Sequence, residues 1–250
     1  MHSRDIGILS ELVDYLVHHA KKKLDSQVQS VYTAHVATKA STPPRLTARG
    51  AATRARIVDA AASLVYERGF AGTSLDDVMA ATGASKSQLY HYFADKDALI
   101  REVIRAQLGR IMAAQEAAGL HEVSSWESLQ RWCDHFVIAT RTTQGAGGCP
   151  LGSLVGELAD QSEPARRVLA QCFAEWQSYL SEGFTAMRDS GELTAKADPA
   201  ELALTIMSAL QGGLLMAQAM RSARPLELAL NMALQHMAAY RRRPKQPGRR

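Results

Sequence analysis

Apolar residues recur every three to four positions along most of the chain, and no stretch shows the period-two alternation of a half-buried strand. Residues 6–31 open the series, with Ile6, Leu9, Val13, Leu16, Ala20, Leu24, Val28 and Val31 on one helical face. Pro43 and Pro44 then forbid helix and predict a linker running to about residue 50. A tightly punctuated block follows. Thr53 suits the cap of a helix whose apolar face is Ile57, Ala61, Leu64 and Val65, and Gly69 suits its close in the left-handed conformation. Ser74 caps a short second helix, with Asp77 three residues on in a capping-box arrangement, and Gly83 ends it. Ser85 caps a third helix running to about Phe93, and Asp95 a long fourth reaching about Ala117. Over 124–240, breaks at 145–150, 160–164, 190–199 and 223–225 leave five helices near 125–141, 150–159, 164–189, 199–221 and 225–240. The predicted fold class is all-α.

The spacing of the short helices adds a function. The second and third, joined by Thr82-Gly83-Ala84, have helix-turn-helix proportions. With Leu89, Phe93 and Val78 turned inward, the third helix shows Lys86, Ser87, Gln88, His91 and Tyr92 outward. These groups hydrogen-bond and carry no negative charge, as a helix in a DNA major groove requires. Lys96 is out of place electrostatically: a lysine in a helix's first turn opposes the helix dipole by some tenths of a kcal/mol. A phosphate at that helix end would reverse the sign. The competing reading is an ordinary solvated helix hairpin.

Composition and charge agree with a DNA-facing protein. The 250 residues are 46% hydrophobic and 22% charged, which excludes wholesale disorder, and three cysteines exclude a disulfide scaffold. They fit a reducing, cytoplasmic setting, and Glu11 and Asp14 interrupt what would be a signal peptide's apolar core. The net charge of +4 is unevenly spread: residues 1–49 carry +3, 50–96 balance, 97–240 carry −5 and 241–250 carry +6. Basic ends on an acidic body suit contact with a polyanion; solvated tails are the alternative. Residues 202–220 hold no charge, but Thr205, Ser208, Gln211 and Gln218 gather on one side. Such a stripe suits a buried helix beside a pocket or partner rather than a membrane span.

Three runs carry a family resemblance: Gly69-Phe-Ala-Gly-Thr-Ser-Leu-Asp-Asp-Val78, Gly83-Ala-Ser-Lys-Ser-Gln-Leu-Tyr-His-Tyr-Phe93 and Asp95-Lys-Asp-Ala-Leu99. Over about residues 53–99 the chain resembles the tetracycline-repressor (TetR) family. The resemblance implies a homodimeric transcriptional regulator, usually a repressor, that binds double-stranded DNA at a near-palindromic operator. It also implies a helical domain that takes a small effector and then releases DNA. Base contacts are implied for Lys86, Ser87, Gln88 and His91, and phosphate contacts for Ser74, Tyr90, Tyr92 and Lys96. Ala84, Ser87 and Tyr92 depart from the common Val, Gly and His, and Asp76 stands where some members place a basic residue. Base reading is therefore assigned to the third helix alone.

The domain plan is an N-terminal extension and linker over 1–50, the helix-turn-helix domain over 51–98, the effector and dimerisation domain over 99–240, and a basic tail over 241–250. Arg45 and Arg49, after the proline pair, are placed to reach a minor groove or flanking phosphates; a plain linker is the other reading. Residues 1–35 raise a parallel question. The family usually begins near the arm, which points to a start at Val36, whereas the amphipathic helix over 6–31 argues for the longer chain.

In the body, Trp126, Trp132, Phe136, Phe173, Trp176 and Met207 are candidate effector-pocket residues, with plain core as the competing role for each. Cys149 joins them. Pro150 suits the first position of a helix, which puts the thiol at its N-terminus, where the thiolate is stabilised and the pKa lowered. The segment also resembles one in family members that sense electrophiles or oxidants; Cys133 and Cys172 read as inert core. No His-Glu-x-x-His, Gly-x-Ser-x-Gly or phosphate-loop motif occurs, and the glycine-rich run 145–148 lacks the strand and lysine of a phosphate cradle. No enzyme, cofactor or metal site is expected. The rival to an effector-controlled regulator is an architectural DNA-binding protein without effector.

Overall fold

The structure, a computed structural model, describes residues 46–242 except His121, and those residues contain helices with no strand. Expectations for the helix over 6–31, for Arg45 and for residues 243–250 of the tail lie outside the described residues. Nine helices follow in order: α1 Ala48–Arg68, α2 Leu75–Thr82, α3 Lys86–Tyr92, α4 Lys96–Ala117, α5 Trp126–Thr142, α6 Pro150–Leu158, α7 Glu163–Asp189, α8 Pro199–Met220 and α9 Arg224–Ala238.

The punctuation comes from side chains that satisfy the free N–H groups of a helix start. Ser74 and Ser85 each complete a capping box, with Asp77 and Gln88 respectively, and Asp95 Oδ1 accepts from Ala98 N at 2.6 Å. Gly83 closes α2 in the left-handed conformation (φ 66°, ψ 13°). Two expectations need correction. The cap of α1 is Thr47, which accepts from Gly50 N, while Thr53 lies inside the helix and donates to Arg49 O. Ala48, Ala51 and Ala52 are strong helix formers, so the helix starts at the first cap after the prolines. Arg49 consequently sits in the first turn of α1, exposed, rather than in the linker. Gly69 has the expected positive φ, but ψ is 170°, so the chain leaves α1 extended.

Helix α4 joins the two halves. It packs on α1 through Ile57, Ala61, Ile100, Val103 and Ile104, with Gln107 Nε2 donating to Ala62 O at 2.9 Å. The ion pair Arg54–Glu102, at 2.8 Å, and the pair Arg110–Asp59 flank that seam. Farther along, α4 packs on α7, whose Trp176, Leu180 and Phe184 form the centre of the body. Helix α8 packs between α7 and α9. Among the described residues it alone is long and apolar enough to cross a membrane, and its buried face packs into this helical layer.

Candidate functional site

Two regions can meet ligands: the face of α3 and the interior beside α6. On α3, Leu89 is fully buried, and Phe93 and Val78 are nearly so, which anchors the helix by one face. Lys86, Ser87, Gln88, Tyr90 and His91 are exposed and Tyr92 is half-buried, with its ring edge-on to His91 at 5.0 Å. No acidic residue lies on α3. This is a positively polarised, hydrogen-bonding surface of six residues on a seven-residue helix, sized for a groove.

Hydrogen bonding separates the predicted DNA residues. Gln88 Oε1 accepts from Ser85 N at 3.0 Å, so its amide N–H groups are the part left facing outward. Ser74 is exposed, but its backbone N–H and its hydroxyl both donate to Asp77, which leaves no donor for a phosphate. That bonding also holds the Asp77 carboxyl below the usual carboxylate range. Lys96 has an internal partner. Its Nζ donates to Phe70 O at 2.9 Å and lies 4.0 Å from the centre of the Phe70 ring. The anion that the helix dipole seemed to demand is, in part, a backbone carbonyl.

The turn that Lys96 grips is held from the body as well. Glu157, near the end of α6, accepts from Phe70 N at 2.8 Å and from Ala71 N at 3.3 Å. Gly69 makes room for this: a Cβ there would lie 3.0 Å from the Glu157 carboxylate. The sequence offered no signal for Glu157, because its partners are backbone groups 86 and 87 residues away.

The other end of α6 borders two cavities. The first, about 470 Å³, is bounded by Cys149, Gly152, Ser153 and Val155 of the α6 region, Phe173 and Gln177 of α7, and Met207, Ser208, Gln211, Leu215 and Gln218 of α8. Three of the four polar residues of the α8 stripe, Ser208, Gln211 and Gln218, thus face this cavity, and Thr205 does not. The second, about 380 Å³, lies among Tyr66, Ile111, His135, Phe136, Thr140, Trp176 and the loop 145–150, and shares Cys149 with the first. Of the predicted effector residues, Cys149, Phe173 and Met207 line the first cavity, and Phe136, Trp176 and Cys149 the second. Trp132 lies outside both, fully buried with its Nε1 donating to Gln115 Oε1 at 2.6 Å. Trp126 also lies outside, stacked under Arg241 at 4.4 Å. Gln177, Tyr66 and His135 line cavities without having been anticipated, since only contacts between distant helices place them there.

The Cys149 thiol departs from the sequence expectation. Cys149 stands at the N-cap position of α6 as expected, but its thiol makes no capping hydrogen bond, and burial pushes its pKa up. The backbone N–H groups of Gly152 and Leu151 and the Gln211 side chain pull the other way without prevailing. Desolvation of a thiolate outweighs a helix end here. Cys133 and Cys172 are buried, and burial pushes Cys133 up to about 12. Among the described residues, no three His, Cys, Asp or Glu side chains are grouped as a metal site would be.

The chain's relatives fit this geometry. Residues 57–103 match the family described as "Bacterial regulatory proteins, tetR family", and residues 125–233 match "Tetracyclin repressor-like, C-terminal domain". An uncharacterized HTH-type transcriptional regulator in the lacX 3' region of Lactococcus lactis subsp. lactis is 30% identical over 185 residues, spanning 70% of this chain and 88% of its own. The HTH-type transcriptional repressor NemR of Escherichia coli (strain K12) is 25% identical over 187 residues, spanning 71% of this chain and 90% of its own. A TetR transcriptional regulator from Chloroflexus aurantiacus has a solved structure that matches with a TM-score of 0.64 at 26% identity, covering 79% of this chain and 100% of the other. The chain belongs to the TetR family of bacterial helix-turn-helix transcriptional regulators. These families and relatives are regulators, not enzymes.

Proposed function

We propose that this protein is a cytoplasmic repressor that binds a palindromic operator as a homodimer and lets go when a small molecule occupies the space beside Cys149. One observation carries the reading. Helix α6 borders both cavities at Cys149 and grips the turn ahead of the helix-turn-helix through Glu157, so one rigid element touches both sites. The relative NemR is named a repressor, which supports the sign of the regulation. Base contacts fall to Lys86, Ser87, Gln88 and His91, and phosphate contacts to Tyr90, Tyr92, Lys96 and the exposed Arg49. The raised thiol pKa favours a non-covalent effector, while an electrophile that enters either cavity meets Cys149 in its wall.

The homodimer rests on α8 and α9. Leu204, Leu215, Met216 and Met220 of α8 and Leu228 and Met232 of α9 are all exposed, an unusual density of large apolar groups for a free surface. A two-fold pairing of these helices would cover them and set the two α3 helices a DNA turn apart, ~34–36 Å or a multiple of it.

The test starts from genomic fragments retained by the purified protein, followed by footprinting of the enriched sequence. An inverted repeat protected on both halves is the expected result, with Gln88→Ala relaxing base preference. Protection without sequence preference would identify an architectural DNA-binding protein instead, as would operator binding that no small molecule displaces.

A further inference from the structure

The cavities beside Cys149 share a chemical signature that narrows the occupant, given the reading of that space as an effector site. Gln211 Nε2 and Trp176 Nε1 are both buried donors that make no hydrogen bond, one on a residue lining each cavity. The Gln211 amide approaches the Cys149 thiol without achieving hydrogen-bond geometry. Buried N–H groups are nearly always paired, so two orphans beside adjoining cavities mark positions for an acceptor. Beside the uncharged polar groups of Ser153, Gln177, Ser208 and Gln218, the linings hold surfaces complementary to a ring system. Phe173, Met207 and Leu215 offer apolar faces in the first cavity, and Phe136 stands beside Trp176 at 6.2 Å in the second. No charged side chain lines the first cavity, and His135 is the only titratable side chain besides Tyr66 and Cys149 in the second. An ionic ligand would find no counter-ion in the first cavity's lining.

We infer that the effector is an uncharged aromatic molecule carrying oxygen acceptors, such as an aryl ketone, with a carbonyl taking the hydrogen bond from Gln211 in the first cavity and from Trp176 where the occupant extends into the second. Neither donor asks for an electrophile, and the match requires no bond to Cys149.

Three matched probes test this by calorimetry on the full-length protein. Fluorenone supplies rings and a carbonyl, fluorene the rings alone, and fluorenone carboxylate the carbonyl with a charge. Fluorenone is expected to bind at least ~10-fold more tightly than either of the other two. Gln211→Met keeps the side chain's length and removes the donor, so it should erase the preference over fluorene. Trp176→Phe should do so if the carbonyl sits in the second cavity, and either variant's effect supports the inference. Equal binding of fluorenone and fluorene, a preference that survives both substitutions, or no binding of fluorenone overturns it; in the first two cases water is the acceptor for these groups. Operator release is read separately by fluorescence anisotropy. Fluorenone that binds with the expected preference but leaves operator affinity unchanged would refute the effector reading while leaving the ligand class intact.

Discussion

Gln88 serves the fold with one atom and, in the proposed complex, the DNA with another. Its Oε1 completes the cap of α3, and only its amide N–H groups are free to reach a base edge. The two roles can be pulled apart. Gln88→Glu keeps an oxygen for Ser85 N but turns an anion toward the groove, so operator binding should fall sharply with little change in the urea midpoint. Gln88→Ala removes both roles, costing about 0.5–1.5 kcal/mol of stability for one hydrogen bond and about 1–3 kcal/mol of base discrimination. Anisotropy on operator and random DNA, beside urea titration, separates these effects; equal losses on both DNAs would remove Gln88 from the reading face. Cys149 allows an equally direct check. Burial raises its pKa above the ordinary thiol range, so the neutral thiol is favoured and the reactive thiolate grows as pH rises. Alkylation by iodoacetamide, followed by mass spectrometry, should be slower than for free cysteine, and its rate should level off at a higher pH than free cysteine's. A rate that levels off at a lower pH than free cysteine's would mean the helix end prevails after all.

Helix α6 is short, yet its ends touch a cavity wall and the approach to the DNA-binding helices. Glu157→Gln retains an acceptor for Phe70 N and Ala71 N, whereas Glu157→Ala leaves both without one. The alanine variant should lose about 1.5–3 kcal/mol, the usual range for hydrogen bonds to a charged group. It should also respond less to any effector, measured as the shift in operator Kd on adding ligand. An unchanged shift would show that coupling travels another way. The loop entering α6 is equally constrained. Gly145 has φ +74°, and a Cβ there would stand 2.3 Å from the Ala217 carbonyl oxygen, a backbone atom that cannot swing aside. Gly145→Ala should therefore destabilise the protein by at least about 1–3 kcal/mol. Gly156, inside α6 with open space around it, supplies the contrast: Gly156→Ala should stabilise by about 0.5–1 kcal/mol. Thermal unfolding of the two variants reads both signs.

Across the whole molecule, the proposed assembly rests on the exposed apolar groups of α8 and α9. Met232→Lys with Leu215→Glu should convert a dimer to a monomer by light scattering and lower operator affinity, because each subunit then holds a single half-site. A dimer that survives both changes would place the interface elsewhere. Lys96→Ala should weaken all DNA sequences alike and lower the slope of log K against log salt by about one unit. Because Lys96 also holds Phe70 O, a modest loss of stability should accompany it.

What the amino-acid order determined by itself was local. Caps such as Ser74, Ser85 and Asp95, the left-handed Gly83 and the apolar periodicity are short-range signals, so the helices and the outward face of α3 could be read before any tertiary contact was known. The start of α1 was misplaced because two threonines compete for the cap, and Thr53 satisfies its hydroxyl equally well inside a helix, on Arg49 O. The stripe on α8 announced a neighbour but not which one. Only the tertiary structure decided that most of it faces a cavity, that Trp132 is core, that Lys96 grips a carbonyl and that Glu157 ties the body to the turn ahead of α2. It also reversed the sign for Cys149. A helix end acts within one turn and is legible in sequence, whereas desolvation depends on helices α7 and α8 closing over the thiol, and the local pattern around Cys149 carries no record of that.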